Sequence, residues 1–423
     1  MKHLIFIITV LISLPVLSWT NHFIVSYYSL LSMQEIQTAK PVVVESLDNF
    51  VKKEAAGLAK LLEEQEEYAR KNFPNYSPRS NDLKFDPTSK NLKKSFLESL
   101  RVNPNIKLAL FLQKISSEKL KQRMPYQKVS VFEKDEWLEK YIFQELKEGQ
   151  SVSPFEVTAT AADEPDYGLD IGLFSNNESE HGKVYGFGEQ PFGDPRKFYG
   201  SQAPFHMGFF HEAGVIYAMA GFIKRTNPEY RIYLYNTLAK YAFQTGHDYW
   251  GYRFSGWGLH YIGDLTQPYH STLFPGKSTL GLIWTNISGK KARDEAVIRL
   301  SDRHTAIEHY EYYLLDKIIK SGEKDNKFLN AFQVLSNDSK YPEFTFSYVR
   351  DVLSKESNGR ADDLDERIEK SEAVMLFKDR DFDFSKFKED ETTAKVQEIL
   401  IELFQSVGSH TRNFLRDTIK ERK

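Results

Sequence analysis

Apolar side chains recur every three or four residues along most of this chain, which is the spacing of one face of an α-helix. The first clear example begins at Leu47, in a stretch whose other positions are rich in Glu and Lys. Strict alternation of apolar and polar residues, which marks a half-buried strand, is scarce. The spacing predicts helices over 92–100, 106–121, 131–146, 209–264, 292–320 and 396–419, with breaks in the fourth near residues 227 and 246. We therefore expect an all-α fold, a multi-helix bundle.

Two stretches depart from helical spacing. Residues 73–88 carry three prolines among Asn, Ser and Asp, and residues 153–211 are rich in glycine, proline and aromatic side chains. The first predicts a loop, and the second predicts a long, ordered and irregular region. Because long structured loops often carry function, we expect functional residues within 153–211.

Composition limits the chemistry of any site. The 423 residues include no cysteine, so disulfides, thiolate ligands and cysteine nucleophiles are excluded. A metal ion would have to be held by His, Asp and Glu. The net charge of −3 gives no basic surplus of the kind that attracts nucleic acid.

The N-terminus predicts export. Lys2 and His3 precede an apolar run over 4–17, and Val16-Leu17-Ser18 offers a small-residue cleavage site. The run is shorter than the roughly 20 residues that a membrane-spanning helix needs. We therefore expect a signal peptide over 1–18, a mature all-α domain over 19–423 that starts at Trp19, and a secreted or periplasmic location.

The sharpest motif runs from Leu259 to His270. On a helix, His260 and Asp264 lie one turn apart on one face, so both can reach a single metal ion. Pro268 then stops the helix, and the turn that follows lets His270 reach a second ion nearby.

A second pair with the same spacing is formed by His304 and Glu308. Two imidazoles and one carboxylate, with one position left for water, are a common ligand set of catalytic zinc, and His270 would complete it. Near the other end, the free α-amino group and carbonyl oxygen of a cleaved Trp19 would chelate a cation, with His22 as a neighbouring ligand.

Taken in order, the N-terminal Trp, the His-x3-Asp-x5-His motif and the later His-x3-Glu motif resemble the bacterial zinc-dependent phospholipases C of the alpha-toxin type. They also resemble the related single-strand-specific zinc nucleases of fungi and plants. The resemblance implies an all-helical enzyme with three zinc ions. By this resemblance the first ion is held by Trp19, His22 and Asp264, the second by His260, Asp264 and an upstream Asp and His, and the third by His270, His304 and Glu308.

The resemblance also proposes the two upstream ligands. Glu164-Pro165-Asp166-Tyr167 is similar to the Pro-Asp-Tyr of the alpha-toxin type, which favours Asp166, with Asp163 as the reserve. For the histidine, His206 precedes His260 by 54 residues, close to the family's spacing. The alternatives for this position are His211 and His181. Residues 45–150 have no counterpart in the family and are expected to be an added helical segment.

These features predict hydrolysis of phosphodiester bonds, with Asp166 orienting the attacking water or accepting its proton. Glu308, the Pro-Asp-Tyr match and the absence of a basic surplus favour a phospholipase C over a nuclease, in which Asp would replace Glu308. The expected partners are a phospholipid or another phosphodiester and a transient membrane surface. A single-strand-specific zinc nuclease and a non-catalytic exported metal-binding protein are the alternatives.

Overall fold

A computed structural model describes residues 19, 21–115, 120, 123–193, 199–379 and 382–422. The expected signal peptide, residues 1–18, lies outside the described residues. The part of the chain that is described folds mainly into helices, which confirms the all-α class. Its α-helices are α1 (His22–Leu31), α2 (Gln34–Gln37), α3 (Leu47–Lys53), α4 (Ala55–Asn72), α5 (Leu92–Leu100), α6 (Pro154–Ala161), α7 (Glu180–Val184), α8 (Ala203–His206), α9 (Gly214–Met219), α10 (Pro228–Gln244), α11 (Asp248–Thr266), α12 (Pro268–Ser271), α13 (Thr279–Ile287), α14 (Lys290–Ser321), α15 (Lys327–Ala331), α16 (Lys355–Glu369), α17 (Glu372–Met375) and α18 (Glu391–Ile419).

Four short strands form two antiparallel pairs. Strand β1 (Val42–Val43) pairs with β4 (Ser151–Val152), and β2 (Phe111–Lys114) pairs with β3 (Ile142–Glu145). The helices predicted over 106–121 and 131–146 were therefore wrong, because no described residue there is α-helical. The apolar residues of such short stretches fit a helix or a strand equally well, and pairing between the two segments decides. Phe111 meets Phe143 edge to face across this pairing, with ring centroids 5.5 Å apart.

The centre of the fold is α11, whose residues are all buried from Tyr249 to Thr266. It packs against α6, α10 and α18. The approach to α6 is very close: a Cβ added to Gly256 would lie 2.5 Å from the Thr158 carbonyl oxygen. Helix α11 ends at Thr266, because Gln267 precedes Pro268 and takes an extended conformation. Side chains near its C-terminal end therefore point into the interior of the bundle from a rigid support.

The long helix α14 covers the predicted 292–320 helix, and its middle section approaches α12, where the Glu308 Oε1 lies 3.8 Å from the His270 Nε2. It ends at Gly322, whose φ of 74° is the left-handed conformation that favours glycine. The predicted irregular region is interrupted by α6, α7 and α8, which the glycines and prolines around them concealed. Among the described residues, no helix is both long and apolar enough to cross a membrane.

Candidate metal centre

The last two turns of α11 place His260 and Asp264 side by side, each with no exposed surface. The His260 Nε2 lies 3.3 Å from the Asp264 Oδ2. The His260 Nδ1 donates to the carbonyl oxygen of Ala162 at 2.9 Å, so its Nε2 presents a lone pair toward the carboxylate. Burial, with the neighbouring His22, holds the pKa of His260 well below its usual value. The ring is therefore neutral and suited to metal ligation.

The first group of candidate ligands consists of His22, His260 and Asp264. His22 begins α1, and its Nε2 lies 3.6 Å from the Asp264 Oδ1. Its ring approaches that of His260 to a centroid distance of 3.9 Å. Gly263 makes the approach possible, because a Cβ there would lie 2.9 Å from the His22 Nδ1. Helix α1 is thus docked on α11 by a contact that only glycine permits.

Trp19 lies beside this group and is 1% exposed. Its indole Nε1 donates to the carbonyl oxygen of Gly263 and to the Thr266 Oγ1, both at 2.9 Å. These hydrogen bonds fix Trp19 against the turn of α11 that carries Asp264. The predicted N-terminal ligand is therefore next to the group that it was expected to join.

The second group consists of Asp166, His206 and His260. The His206 Nδ1 lies 3.0 Å from the His260 Nε2 and 3.1 Å from the Asp264 Oδ2. The Asp166 Oδ1 lies 4.0 Å from the His206 Nδ1 and 3.9 Å from the His260 Nε2. Burial raises the pKa of Asp166 well above its usual value, and the Gln202 amide donates to its Oδ1.

The third group consists of His270, His304 and Glu308. The His304 Nε2 lies 2.7 Å from the Glu308 Oε1, and the His270 Nε2 lies 3.8 Å from the same oxygen. The His270 Nδ1 donates to the carbonyl oxygen of His206 at 2.9 Å, which turns its Nε2 toward Glu308. Burial lowers the pKa of His270 to about 3. Tyr269 stacks on the His304 ring and holds its plane.

Asp264 connects the three groups. Its Oδ1 lies 3.6 Å from the His270 Nδ1 as well as from His22, and its Oδ2 faces His206 and His260. Burial alone would raise the pKa of Asp264, but the surrounding imidazoles outweigh burial and hold it far below its usual value. The carboxylate is therefore charged, and neither of its oxygens makes a regular hydrogen bond.

The donor set fits a group of divalent cations. Four ligands around one zinc ion at about 2.0 to 2.2 Å lie roughly 3.3 to 3.6 Å apart. The distances between candidate ligand atoms within the three groups range from 2.7 to 4.0 Å, which brackets that value. The buried oxygens of Asp264 and the Nε2 atom of His270 have no regular hydrogen-bond partner. Buried polar atoms are normally satisfied, and bound cations would satisfy these. The three groups could hold metal ions, and they bring together eight of the nine proposed ligands, while the ninth, Trp19, lies beside the first group.

The alternative ligands lie elsewhere. Asp163 accepts the backbone N–H of Phe23 at 3.1 Å and so stabilises the start of α1. The His211 Nε2 donates to the carbonyl oxygen of Arg350, and the His181 Nε2 donates to that of Ile171. None of these three belongs to a candidate metal group among the described residues.

Sequence reasoning missed one supporting residue. Asp170 is fully buried, and its Oδ2 lies 3.6 Å from the His206 Nε2. Arg231 donates to its Oδ1 at 2.7 Å, and the Tyr261 hydroxyl donates to its Oδ2 at 2.5 Å. Asp170 thus orients the ring of His206 so that Nδ1 faces Asp264. Its position four residues after Asp166 was the one signal that could have indicated a role for Asp170. Its pairing with Arg231 could not be predicted, because Arg231 comes from a distant helix.

No family model, no curated protein and no solved structure matches the chain.

Proposed function

We propose that this protein is an exported zinc-dependent phosphodiesterase that hydrolyses phospholipid head-group esters, as a phospholipase C does. The observation that carries the proposal is the contiguity of the three groups: His260 belongs to two of them, and Asp264 lies within 3.6 Å of four imidazoles. A single structural zinc site needs one closed set of four ligands, whereas adjoining sites suit a reaction in which several oxygens of one phosphate must be held.

The ligand types support zinc as the metal. His22, His206, His260, His270 and His304 supply five imidazoles, and imidazole suits zinc far better than it suits magnesium or calcium. When bound, such ions lower the pKa of water to about 7 and offset the charge of a phosphodiester. The proposed set of three ions uses Trp19 as a further ligand, which requires cleavage before that residue.

Asp166 is the residue proposed to act on the attacking water. Its side chain is 13% exposed, whereas those of His206, His260 and Asp264 are fully buried, so it marks the edge from which substrate would enter. Its carboxylate faces His206 and His260 from outside. A carboxylate in this position orients a water or accepts its proton. The Gln202 amide keeps the Asp166 Oδ1 in place.

The choice of phospholipid over single-stranded nucleic acid is supported by Glu308, by Pro165-Asp166-Tyr167 and by the net charge of −3. Single-strand binding uses a positively charged groove with aromatic platforms, and the chain has no basic surplus to provide the charge.

The test begins with protein whose N-terminus has been determined by mass spectrometry. Elemental analysis should give about three zinc ions per chain. Hydrolysis of bis(p-nitrophenyl) phosphate and of phospholipid in mixed micelles should be abolished by a chelator and restored by zinc. Cleavage of single-stranded DNA without lipid hydrolysis would favour the nuclease, metal without any hydrolysis would favour a binding protein, and absence of metal would refute the proposal.

The variant Asp166→Asn tests the assigned role. We expect kcat to fall at least about 100-fold, because a positioned general base typically contributes 10²- to 10⁴-fold. The third group should keep its zinc. Asp363→Asn is the control, because this carboxylate is 54% exposed and pairs with Arg367 on the next turn of its own helix. Full activity in Asp166→Asn would show that another group handles the proton.

A further inference from the structure

Helix α13 is unlike every other long helix in the described part of the chain, because none of its nine residues is buried. Leu280, Trp284 and Ile287 are 77%, 71% and 70% exposed, the highest values among the exposed large apolar side chains. Their spacing of four and three residues puts them on one face of the helix. The protein thus presents a continuous apolar row to its surroundings.

The helix itself is well anchored on its other side. The Ser278 hydroxyl accepts the backbone N–H of Gly281 at its start, and the Lys277 Nζ donates to the Thr285 Oγ1 at 3.0 Å. Leu282 packs against a small apolar cluster that includes Ile216 and Leu273. The outward row is therefore a fixed feature of the surface and not the result of a loosely held segment.

Basic residues outnumber acidic ones around the helix. Lys277, Lys290, Lys291 and Arg293 lie within residues 265–293, which contain no Asp or Glu. The exposed Asp294 and Glu295 follow directly, and the Glu295 carboxylate lies 3.9 Å from the Lys291 Nζ, so four basic residues stand against two acidic ones. Lys290 and Lys291 are exposed and follow Ile287 at the start of α14. The chain as a whole has a net charge of −3, so this positive region is local. An apolar row with Trp, flanked by lysines, has the character of a helix that lies in the interface of an anionic membrane.

The same charges disfavour a second copy of the chain as the partner. In a symmetric dimer the same patch occurs on both subunits, so the excess positive charge of one copy would lie close to that of the other. A surface of phosphate groups complements them instead.

The row is connected to the candidate metal centre through the cluster that supports it. The apolar cluster under α13 includes Met207, which follows His206, and Leu273, which comes three residues after His270. The backbone N–H of Gly208 donates to the carbonyl oxygen of His270 at 2.8 Å and joins these two chain segments. The support of α13 is thus built on the same segments that present His206 and His270.

We propose that the outer face of α13 docks the protein on an anionic lipid surface. Leu280, Trp284 and Ile287 enter the boundary between head groups and acyl chains, and Lys290 and Lys291 contact lipid phosphates. The claim that docking brings the metal centre to its substrate rests on the proposed function. Docking itself does not require catalysis.

The experiment measures binding of the full protein to sedimented vesicles of phosphatidylglycerol mixed with phosphatidylcholine, and to vesicles of phosphatidylcholine alone. We expect clear preference for the anionic vesicles. Trp284→Ala should weaken binding about tenfold, because a largely exposed indole then no longer leaves water. The double variant Lys290→Glu, Lys291→Glu should weaken it at least about 25-fold, since each basic residue near such a surface contributes about fivefold.

Matched controls show whether vesicle binding depends on where the substituted residues lie or only on their type. Lys60→Glu with Lys386→Glu makes the same change in net charge at two other exposed lysines, with side chains 79% and 76% exposed, and should leave binding unchanged. Leu335→Ala removes another exposed apolar residue, 48% exposed, and should also have no effect. Circular dichroism melting of each variant checks that it is folded. The fluorescence of Trp284 supplies an independent readout, because lipids that carry a spin label should quench it, and Trp284→Phe should remove that quenching.

Several results would overturn the proposal. These are absence of binding to anionic vesicles, equal binding of Trp284→Ala and the unaltered protein, and equal loss in the charge control. Self-association in sedimentation velocity that Trp284→Ala abolishes would assign the face to a second copy. Hydrolysis of bis(p-nitrophenyl) phosphate, measured in parallel, should be unchanged in all α13 variants. Vesicle binding without any hydrolysis would support docking and refute the proposed function. Hydrolysis without vesicle binding would support the proposed function and refute docking.

Discussion

Asp264→Asn is the substitution with the widest predicted effect, because this one carboxylate faces all three groups. Its two oxygens lie 3.1 to 3.6 Å from nitrogens of His22, His206, His260 and His270. Asparagine keeps the shape and removes the charge. We expect the zinc content to fall from about three ions per chain to about one, the remaining ion being held by His270, His304 and Glu308.

The same substitution should reduce stability. Removing one partner from a buried set of charges typically costs about 3–5 kcal/mol, because the others are left uncompensated. Unfolding entropy of about 2.1 cal/mol/K per residue over a chain of this length converts that into a fall in Tm of about 3–6 °C. Thermal melting followed by circular dichroism and elemental analysis of the same preparation would measure both effects.

Asp338→Asn is the matched control. Asp338 accepts hydrogen bonds from Arg412 and Arg416 and belongs to no candidate metal group among the described residues. This variant should lose stability and keep its zinc. If Asp264→Asn retained about three zinc ions and full hydrolysis, Asp264 would not be a shared ligand and the assignment of the first two groups would be wrong.

Two further predictions concern packing and pH. Gly263→Ala should weaken zinc binding at the first group, because the new Cβ would lie 2.9 Å from the His22 Nδ1. Gly359→Ala is the control, because a Cβ there meets no atom within 4 Å, and it should raise the stability of the fold by up to about 1 kcal/mol. Elemental analysis of both variants measures the effect, and equal zinc contents would show that the close contact at Gly263 does not matter for zinc binding. Burial alone would raise the pKa of Glu356, but the hydrogen bond from His410 and its other polar neighbours outweigh burial and lower it to about 2. Because the pKa of Glu356 is lower in the folded than in the unfolded chain, its ionised carboxylate stabilises the fold at pH values above its usual pKa. After allowance for partial exposure, this stabilisation is about 2 kcal/mol, and it is lost as the pH falls toward 2. Urea titrations near neutrality and near pH 3 should show a smaller acid loss in Glu356→Gln, and an equal loss would refute the assignment.

The local pattern of the sequence was sufficient for the long helices. In α11 and α14 the apolar spacing extends over many turns, and Pro268 and Gly322 mark where the chain must leave the helix. The spacing of four residues that puts His260 beside Asp264, and His304 beside Glu308, is a property of any helix. These pairs were therefore predictable without tertiary structure.

Only the tertiary structure decided which distant segments of the chain contact each other. Strands β2 and β3 are formed by pairing across about 30 residues, and the short apolar stretches involved carry no signal that distinguishes them from helices. Asp163 and Asp166 are equally plausible ligands by residue type. In the structure Asp163 accepts a hydrogen bond from the backbone N–H of Phe23, whereas Asp166 faces His206.

The same holds for the joining of the three groups. The sequence supplied the ligands in separate blocks, because ligand spacing within a helix is a local property. That Asp264 meets imidazoles from α1, α8, α11 and α12 depends on how these helices pack, including the close contact that Gly263 permits. The exposure of α13 was likewise invisible in its sequence, since an apolar segment of nine residues fits the core as well as the surface, and burial is settled only by the neighbours that the fold provides.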